Sequence, residues 1–345
     1  GITWGMEDIC MEGTAKAAPA ASKSGKNKRV LAILVVAILI VAAVGAALLL
    51  GMGESKTPKV FRYGTISGNH ESLDPAVDYE TVGGEILQNV YETLVFYERD
   101  SSSVLKPMIA KELPEISGDG KIYNFTLREG IKFSDGSALT SADVKYSFDR
   151  GLLLNDPHGP FWMYGAVLIP DYYDYGMATF GASGKMVASD DAISQEMCDA
   201  AVWAKSKYEV QFNLTQPYAP FLSALAFNAA SIVSQDYVED NGGLTKAGYD
   251  HMASNTMGTG PYVLDTFESG NYYKLVANSK YWRGEPNIDI VMIRQYKDTS
   301  ARILALKNGD LDAAYVPRDL IDSVQGHENL RSEERRVGKE CRSRW

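Results

Sequence analysis

Cysteine is scarce in this chain: of 345 residues only Cys10, Cys198 and Cys341 are cysteine, and Cys198 stands alone in the central body. No disulfide framework is possible there, and no CxxC pair offers a zinc site. Histidine is equally thin. His70, His158, His251 and His327 lie far apart with no HExxH pairing, so their spacing gives no metal centre. Phosphate signatures are missing as well. Gly181–Lys185 (GASGK) lacks both P-loop spacing and the Ser/Thr after the lysine. Gly258-x-Gly260 lacks a third glycine and runs into Pro261 instead of a helix. No GxSxG occurs, because Thr65 stands where the first glycine would precede Ser67. Adjacent carboxylates such as Asp190-Asp191 and Glu239-Asp240 read as solvated loop charge. No catalytic constellation rises above this background. The expectation is a binding protein, not an enzyme, with no cofactor and no metal.

Positive charge is also short. Against 44 Asp and Glu the chain has 34 Lys and Arg, a formal net charge of −10. Residues 54–330 carry 23 basic and 38 acidic side chains, a net −15, whereas residues 1–29 are +2 and residues 331–345 are +3. Nucleic-acid binding needs a basic surface to release counterions, so an acidic body argues against a nucleic-acid partner. Length predicts roughly two domains at about 150 residues each. The 277 residues of the body suffice for a core without staples, and Cys198 is expected to be a small buried hydrophobe.

What the sequence does hold is a long apolar run. Val30–Leu50 (VLAILVVAILIVAAVGAALLL) is 21 residues without a polar side chain. At about 1.5 Å per residue a helix of that length crosses a hydrocarbon core of about 30 Å. A cleaved signal peptide has a shorter core of roughly 7–15 residues. A long signal peptide cut near Gly51–Gly53 is the competing reading. Lys23, Lys26, Lys28 and Arg29 precede the span and predict a cytoplasmic N-terminus, 1–29. The span, 30–53, is then a single-pass anchor in the cell membrane, and everything beyond it lies outside the cell. The last fifteen residues, RSEERRVGKECRSRW, carry nine charges and no periodicity. They read as a non-native tail (331–345) rather than a solvated native one, and GITWGMEDIC before Met11 reads as upstream read-through.

Within the body, Lys59–Ser67 alternates as a strand and Leu73-Asp74-Pro75 turns the chain. Ile86, Leu87, Val90, Tyr91 and Leu94 recur at helical spacing over Thr81–Phe96. Lys121–Arg128 places Tyr123, Phe125 and Leu127 on one face of a strand. Asp135-Gly136 marks a turn, and Thr140 with Asp143 forms a capping box for a helix that carries Val144 and Phe148 and stops near Gly151. Asp156–Ser206 reads as a looser surface insertion. Tyr208–Leu214, Tyr262–Phe267, Tyr272–Ala277 and Ile288–Gln295 read as strands. Ser300 is the expected N-cap of a helix ending at Gly309, followed by strand-like Leu311–Val316. Alternating strands and helices predict an α/β architecture.

Six segments in order carry a resemblance: LDPA (Leu73–Ala76), NVYETLVFY (Asn89–Tyr97), YNFTLREGIKFSDGSALTSADVKYSFDR (Tyr123–Arg150), GTGPY (Gly258–Tyr262), NSKYWRGEP (Asn278–Pro286) and ALKNGDLDAAY (Ala305–Tyr315). Together they resemble family 5 extracellular solute-binding proteins, the peptide-, nickel- and sugar-binding subunits of ABC importers. The resemblance implies a bilobal clamshell of the periplasmic-binding-protein type II kind. Residues 59–98 and 207–315 form its first lobe and residues 99–206 an inserted domain. Residues 316–330 begin a second lobe that is otherwise missing. The implied function is capture of a small solute, an oligo- or dipeptide, and its delivery to the permease and ATPase subunits, by a monomer. A surface receptor that reports to a signalling partner is the alternative, and an extracellular hydrolase a third reading.

By position in that family, ligand contacts come from Ser67–Tyr79, from Pro160–Tyr164 and from Asn228–Ser231. A solute site wants aromatic surface and a few convergent polar groups. The candidates are therefore Tyr79, Trp162 and Asn228, followed by Ser67, Asn69, Phe161 and Tyr164. For each aromatic the competing role is core packing.

Overall fold

The computed structural model describes residues 57–66, 68–98, 101, 103–187, 191–328 and 330–331. The Val30–Leu50 run, both basic ends and Ser67 lie outside the described residues. Among the described residues no helix is long and apolar enough to cross a membrane.

The first strand of the body, Val60–Thr65, is held between strands that come more than 220 residues later. It pairs in parallel with Ile290–Gln295, Val60 opposite Ile290 and Thr65 opposite Gln295, and on its other side with Ala313–Ala314. Tyr272–Ala277 and Tyr262–Glu268 extend the sheet antiparallel beyond Ile290–Gln295, giving five strands. Side chains alternate along the first strand. Tyr63 and Thr65 both meet Glu85 on the helix Thr81–Val90, while Gly64 lies against Leu311 and Arg302. Val82, Ile86, Leu87 and Val90 of that helix bury its apolar stripe with Tyr273, Leu275 and Ile293 of the sheet, forming one core. The helix stops at Val90, where Tyr91 turns extended (φ −109°) and the chain enters the short strand Val95–Tyr97.

A second sheet, wholly antiparallel, runs Glu115–Ile116, Ile122–Thr126, Glu209–Asn213, Val202–Ser206. Tyr123 and Phe125 point to the core as the alternation predicts. The helix Ser141–Leu154 covers this sheet with Val144 and Phe148, and Phe148 packs edge-on to Phe212 at 4.8 Å. Its capping box is formed: the Thr140 side chain accepts from the start of the helix, and the Asp143 carboxylate accepts from Thr140 N at 2.8 Å.

Three expectations need correction. Gly151 is not a helix stop. The helix continues to Leu154 and ends on Asn155 in the left-handed region (φ 42°), because Gly151 is needed where the Phe161 ring packs; a Cβ there would fall 2.2 Å from it. Ser300 is not the N-cap of its helix. Asp298 fills that place, accepting from Ser300 N and Ala301 N, and the helix spans Thr299–Lys307. The segment Asp156–Ser206 is not a loose insertion. It folds as the helix Trp162–Leu168, the hairpin strands Thr179–Phe180 and Met186–Val187, the helix Gln195–Ala201 and the strand Val202–Ser206, and it buries Leu168, Tyr172, Ile193 and Cys198. The boundary drawn between Ser206 and Lys207 falls on the turn joining two strands of the second sheet.

Candidate functional site

In open α/β sheets ligands gather beyond the carboxyl ends of the parallel strands. Here those ends are Thr65, Gln295 and Ala314, and the loop that leaves Thr65 runs to the helix start at Thr81. A buried ion pair fixes this loop. Asp74 accepts from both Nη atoms of Arg150 at 2.7 and 2.5 Å, and its Oδ1 also takes Ala76 N at 3.0 Å. The Asp74 carbonyl closes the turn by accepting from Val77 N and Asp78 N, and Leu73 N donates to Ala253 O. The next residues are thereby set at the helix N-terminus, where Glu80 caps Val82 N and Gly83 N at 2.6 Å each.

Tyr79 emerges from this frame 52% exposed, and its ring stands edge-on to the exposed Phe227 at 6.2 Å. Asn228 follows Phe227, is half-buried, and donates from Nδ2 to Gly84 O at 3.3 Å. Tyr79 and Asn228, both anticipated, are therefore brought to one helix start, joined by Phe227. Trp162, 44% exposed, opens its own helix three residues after Gly159, which lies against the Ala76 carbonyl of the same loop. The two segments that carry Tyr79 and Trp162 are thus in contact.

The remaining candidates separate. Asn69 spends its side chain on the turn between two sheet strands, donating to Ser269 Oγ at 2.7 Å and accepting from Gly270 N at 2.9 Å. Phe161 and Tyr164 are corrections: at 2% and 0% exposure they belong to the core and offer no surface to a solute. Phe161 packs against Gly151 and Phe148, and the Tyr164 hydroxyl donates to Ala224 O at 2.8 Å. Ser67 lies outside the described residues. Sequence reasoning missed Phe227, hidden inside an apolar run, and Asp78, one of four acids within Glu71–Glu80.

Burial dominates the electrostatics. It pushes the Asp78 carboxyl up to about 7, with Glu80 adding to the effect. Burial also raises Glu85, which hydrogen bonds from Thr65 and Tyr63 pull back. Glu92 is raised by burial and eased by three donors, Trp282 Nε1, Thr259 Oγ1 and the Tyr281 hydroxyl, so it ties the GTGPY and YWRG segments together. The Cys198 thiol is fully buried and pushed up to about 12, which makes it inert as a nucleophile. Among the described residues no group of three His, Cys, Asp or Glu is placed to hold a metal ion. The arrangement can stack an apolar or aromatic face on Tyr79 and Phe227 and hydrogen-bond a polar group at Asn228.

Comparison with known proteins gives three findings. The family model for bacterial extracellular solute-binding proteins, family 5 Middle, matches residues 104–340. The "Probable D,D-dipeptide-binding periplasmic protein DdpA" of Escherichia coli (strain K12) is 29% identical over 259 residues, covering 74% of this chain and 43% of that protein. Among solved structures, the periplasmic binding protein DppA from Helicobacter pylori, in complex with the peptide STSA, superposes with a TM-score of 0.59 at 23% identity, over 78% of this chain and 49% of that one. NikZ from Campylobacter jejuni, in complex with Ni(L-His), gives a TM-score of 0.58 at 22% identity, over 79% and 46%. At these identities the two structures establish a shared α/β fold. The chain spans less than half the length of these relatives.

Proposed function

This chain belongs to the bacterial extracellular solute-binding proteins, family 5, and from that premise we propose that it serves an ABC importer by capturing a small solute, a di- or oligopeptide, for delivery to the permease. The observation that carries this reading is the exposed Tyr79–Phe227 pair beside Asn228 at the helix start that follows the first parallel strand. Such a surface is one wall of a solute cleft: aromatic area supplies affinity and the amide supplies orientation. Closure of an opposing lobe over it would shift a two-state equilibrium towards the form that docks on the permease. Capture requires no covalent step. Cys198, the one cysteine among the described residues, is sealed in the core.

Two further elements complete the reading, the first resting on sequence and the second on the sheets. Val30–Leu50 serves as the membrane anchor, supported by its 21 uncharged residues and by the cations just before it, with the body outside the cytoplasm. The body divides into a first lobe around the five-stranded sheet and an inserted domain around the four-stranded one, and Glu209–Asn213 goes with the latter.

A thermal-shift screen of the 345-residue chain against di- and tripeptides, a nickel–histidine chelate and an oligosaccharide tests the function. Peptides should raise the unfolding temperature in a saturable way. A flat response to every class would sink the reading.

A further inference from the structure

Asp78 immediately precedes the exposed Tyr79, yet its own side chain is only 3% exposed and its Oδ1 has no hydrogen-bond partner. The packing explains how it is sealed. A Cβ on Gly83 would fall 2.1 Å from that oxygen, so only glycine leaves room for it. A Cβ on Gly84 would meet Asn228 Nδ2 at 3.0 Å and Asp78 Oδ2 at 3.9 Å. The Gly83-Gly84 pair is therefore a floor shared by Asp78 and Asn228.

The charges that act on this carboxyl are those of Glu80, Asp74 and Glu71 on its own loop, all negative, while the Glu80 backbone N–H pulls the other way without offsetting burial. Glu80 has already taken Val82 N and Gly83 N, the free amides of the helix start, and Arg150 is engaged by Asp74 through both Nη atoms. From the helix the facing residues are two glycines, and from the turn after Phe227 a neutral amide. A buried carboxylate with like charges around it and an unpartnered oxygen is costly, whereas the neutral acid is tolerated.

We propose that Asp78 is a positioning residue for solute capture: as a neutral acid it pins Tyr79 against Phe227, and as a carboxylate it lifts the 77–80 segment off the Gly83-Gly84 floor. The role in capture rests on the solute-binding reading of this surface; the pinning does not. In the lifted state the carboxylate is solvated and titrates in the ordinary range. Lifting is thus favoured about ten-fold per pH unit from that range up to about 7 and levels off above it. His70, on the same loop with its ring against Tyr273, is a second group whose titration is displaced, downward through burial. It is retained in Asp78→Asn, where it serves as an internal control, whereas Glu80→Gln removes a charge that also acts on it.

The test is hydrogen exchange of the full chain between pH 5 and 8, corrected for intrinsic rates. It reads the amides of Asp78, bonded to Asp74 O, and of Val82, Gly83 and Gly84, bonded to Glu80, which tie the 77–80 segment to its surroundings. Opening should rise about ten-fold per pH unit to pH 7 and then flatten. Asp78→Asn should be flat, and Glu80→Gln, which removes a like charge, should move the plateau to lower pH. A flat wild-type profile, or the same slope in Asp78→Asn, overturns the pin. Titration with trialanine separates the two readings. Its Kd should weaken about three-fold or more from pH 5 to 8 in wild type and stay constant in Asp78→Asn. Binding with a pH-independent Kd in wild type overturns the role in capture. No binding at any pH, with the exchange slope present, supports the pin and counts against the solute reading.

Discussion

At the scale of single residues, the site depends on how a strongly acidic loop is held down. Asp74 and Arg150 are both almost wholly buried and satisfy each other bidentately. Removing one partner leaves an uncompensated charge in the core, so Arg150→Leu should cost about 3–5 kcal/mol in urea unfolding. Asp78 gives the opposite signature. Its folded-state acid is weaker than its unfolded one, so its contribution to stability is complete in acid and is lost as pH rises to about 7. Urea midpoints should therefore fall between pH 4 and 7, at up to about 1.4 kcal/mol per unit, and Asp78→Asn should remove that slope. Tyr79 and Asn228 were legible in the sequence because an aromatic in a polar loop and an amide inside an apolar run both stand out. Phe161 and Tyr164 were not, since an aromatic in a Gly/Pro-bounded segment looks the same whether it faces solvent or, as here, the ring of Phe148.

At the scale of elements, the sequence spoke clearly wherever one period ran long enough. The Thr81–Val90 and Ser141–Leu154 helices show their apolar stripes, and the strands Ile122–Thr126 and Tyr272–Ala277 their alternation. Between Asp156 and Ser206 the helices are seven residues each and the hairpin strands two, too short for any period to emerge. Stop signals misled for a related reason: glycine ends a helix by its conformational freedom but also serves inside one where a ring must approach. Gly151 is the second kind. Gly151→Ala gains up to about 1 kcal/mol of helix propensity but drives a methyl into the buried Phe161 ring, and the net effect should be a loss of about 1–3 kcal/mol, read as a lower Tm. Thr140→Ala, which removes one half of the capping box, should cost about 1 kcal/mol by the same measurement.

At the scale of the molecule, the first strand closes the sheet by lying between Ile290–Gln295 and Ala313–Ala314, and this long-range pairing is what local periodicity cannot reveal. The ordered motifs placed residues 59–98 and 207–315 in one lobe but did not give that pairing. The fold places the carboxyl end of the first strand, the acidic loop and the helix start at Thr81 in sequence, and Tyr79 with Phe227 stands on that frame. The central claim is that this surface takes the solute. Calorimetric titration of the whole chain with the peptide that most raises its unfolding temperature tests it most directly, using Tyr79→Ala beside Asn69→Ala, whose side chain serves only the Ser269–Gly270 turn among the described residues. Tyr79→Ala should weaken binding about ten-fold or more, a loss of about 1.4 kcal/mol, while Asn69→Ala stays within about two-fold of wild type. Equal affinity in Tyr79→Ala and wild type would contradict the account.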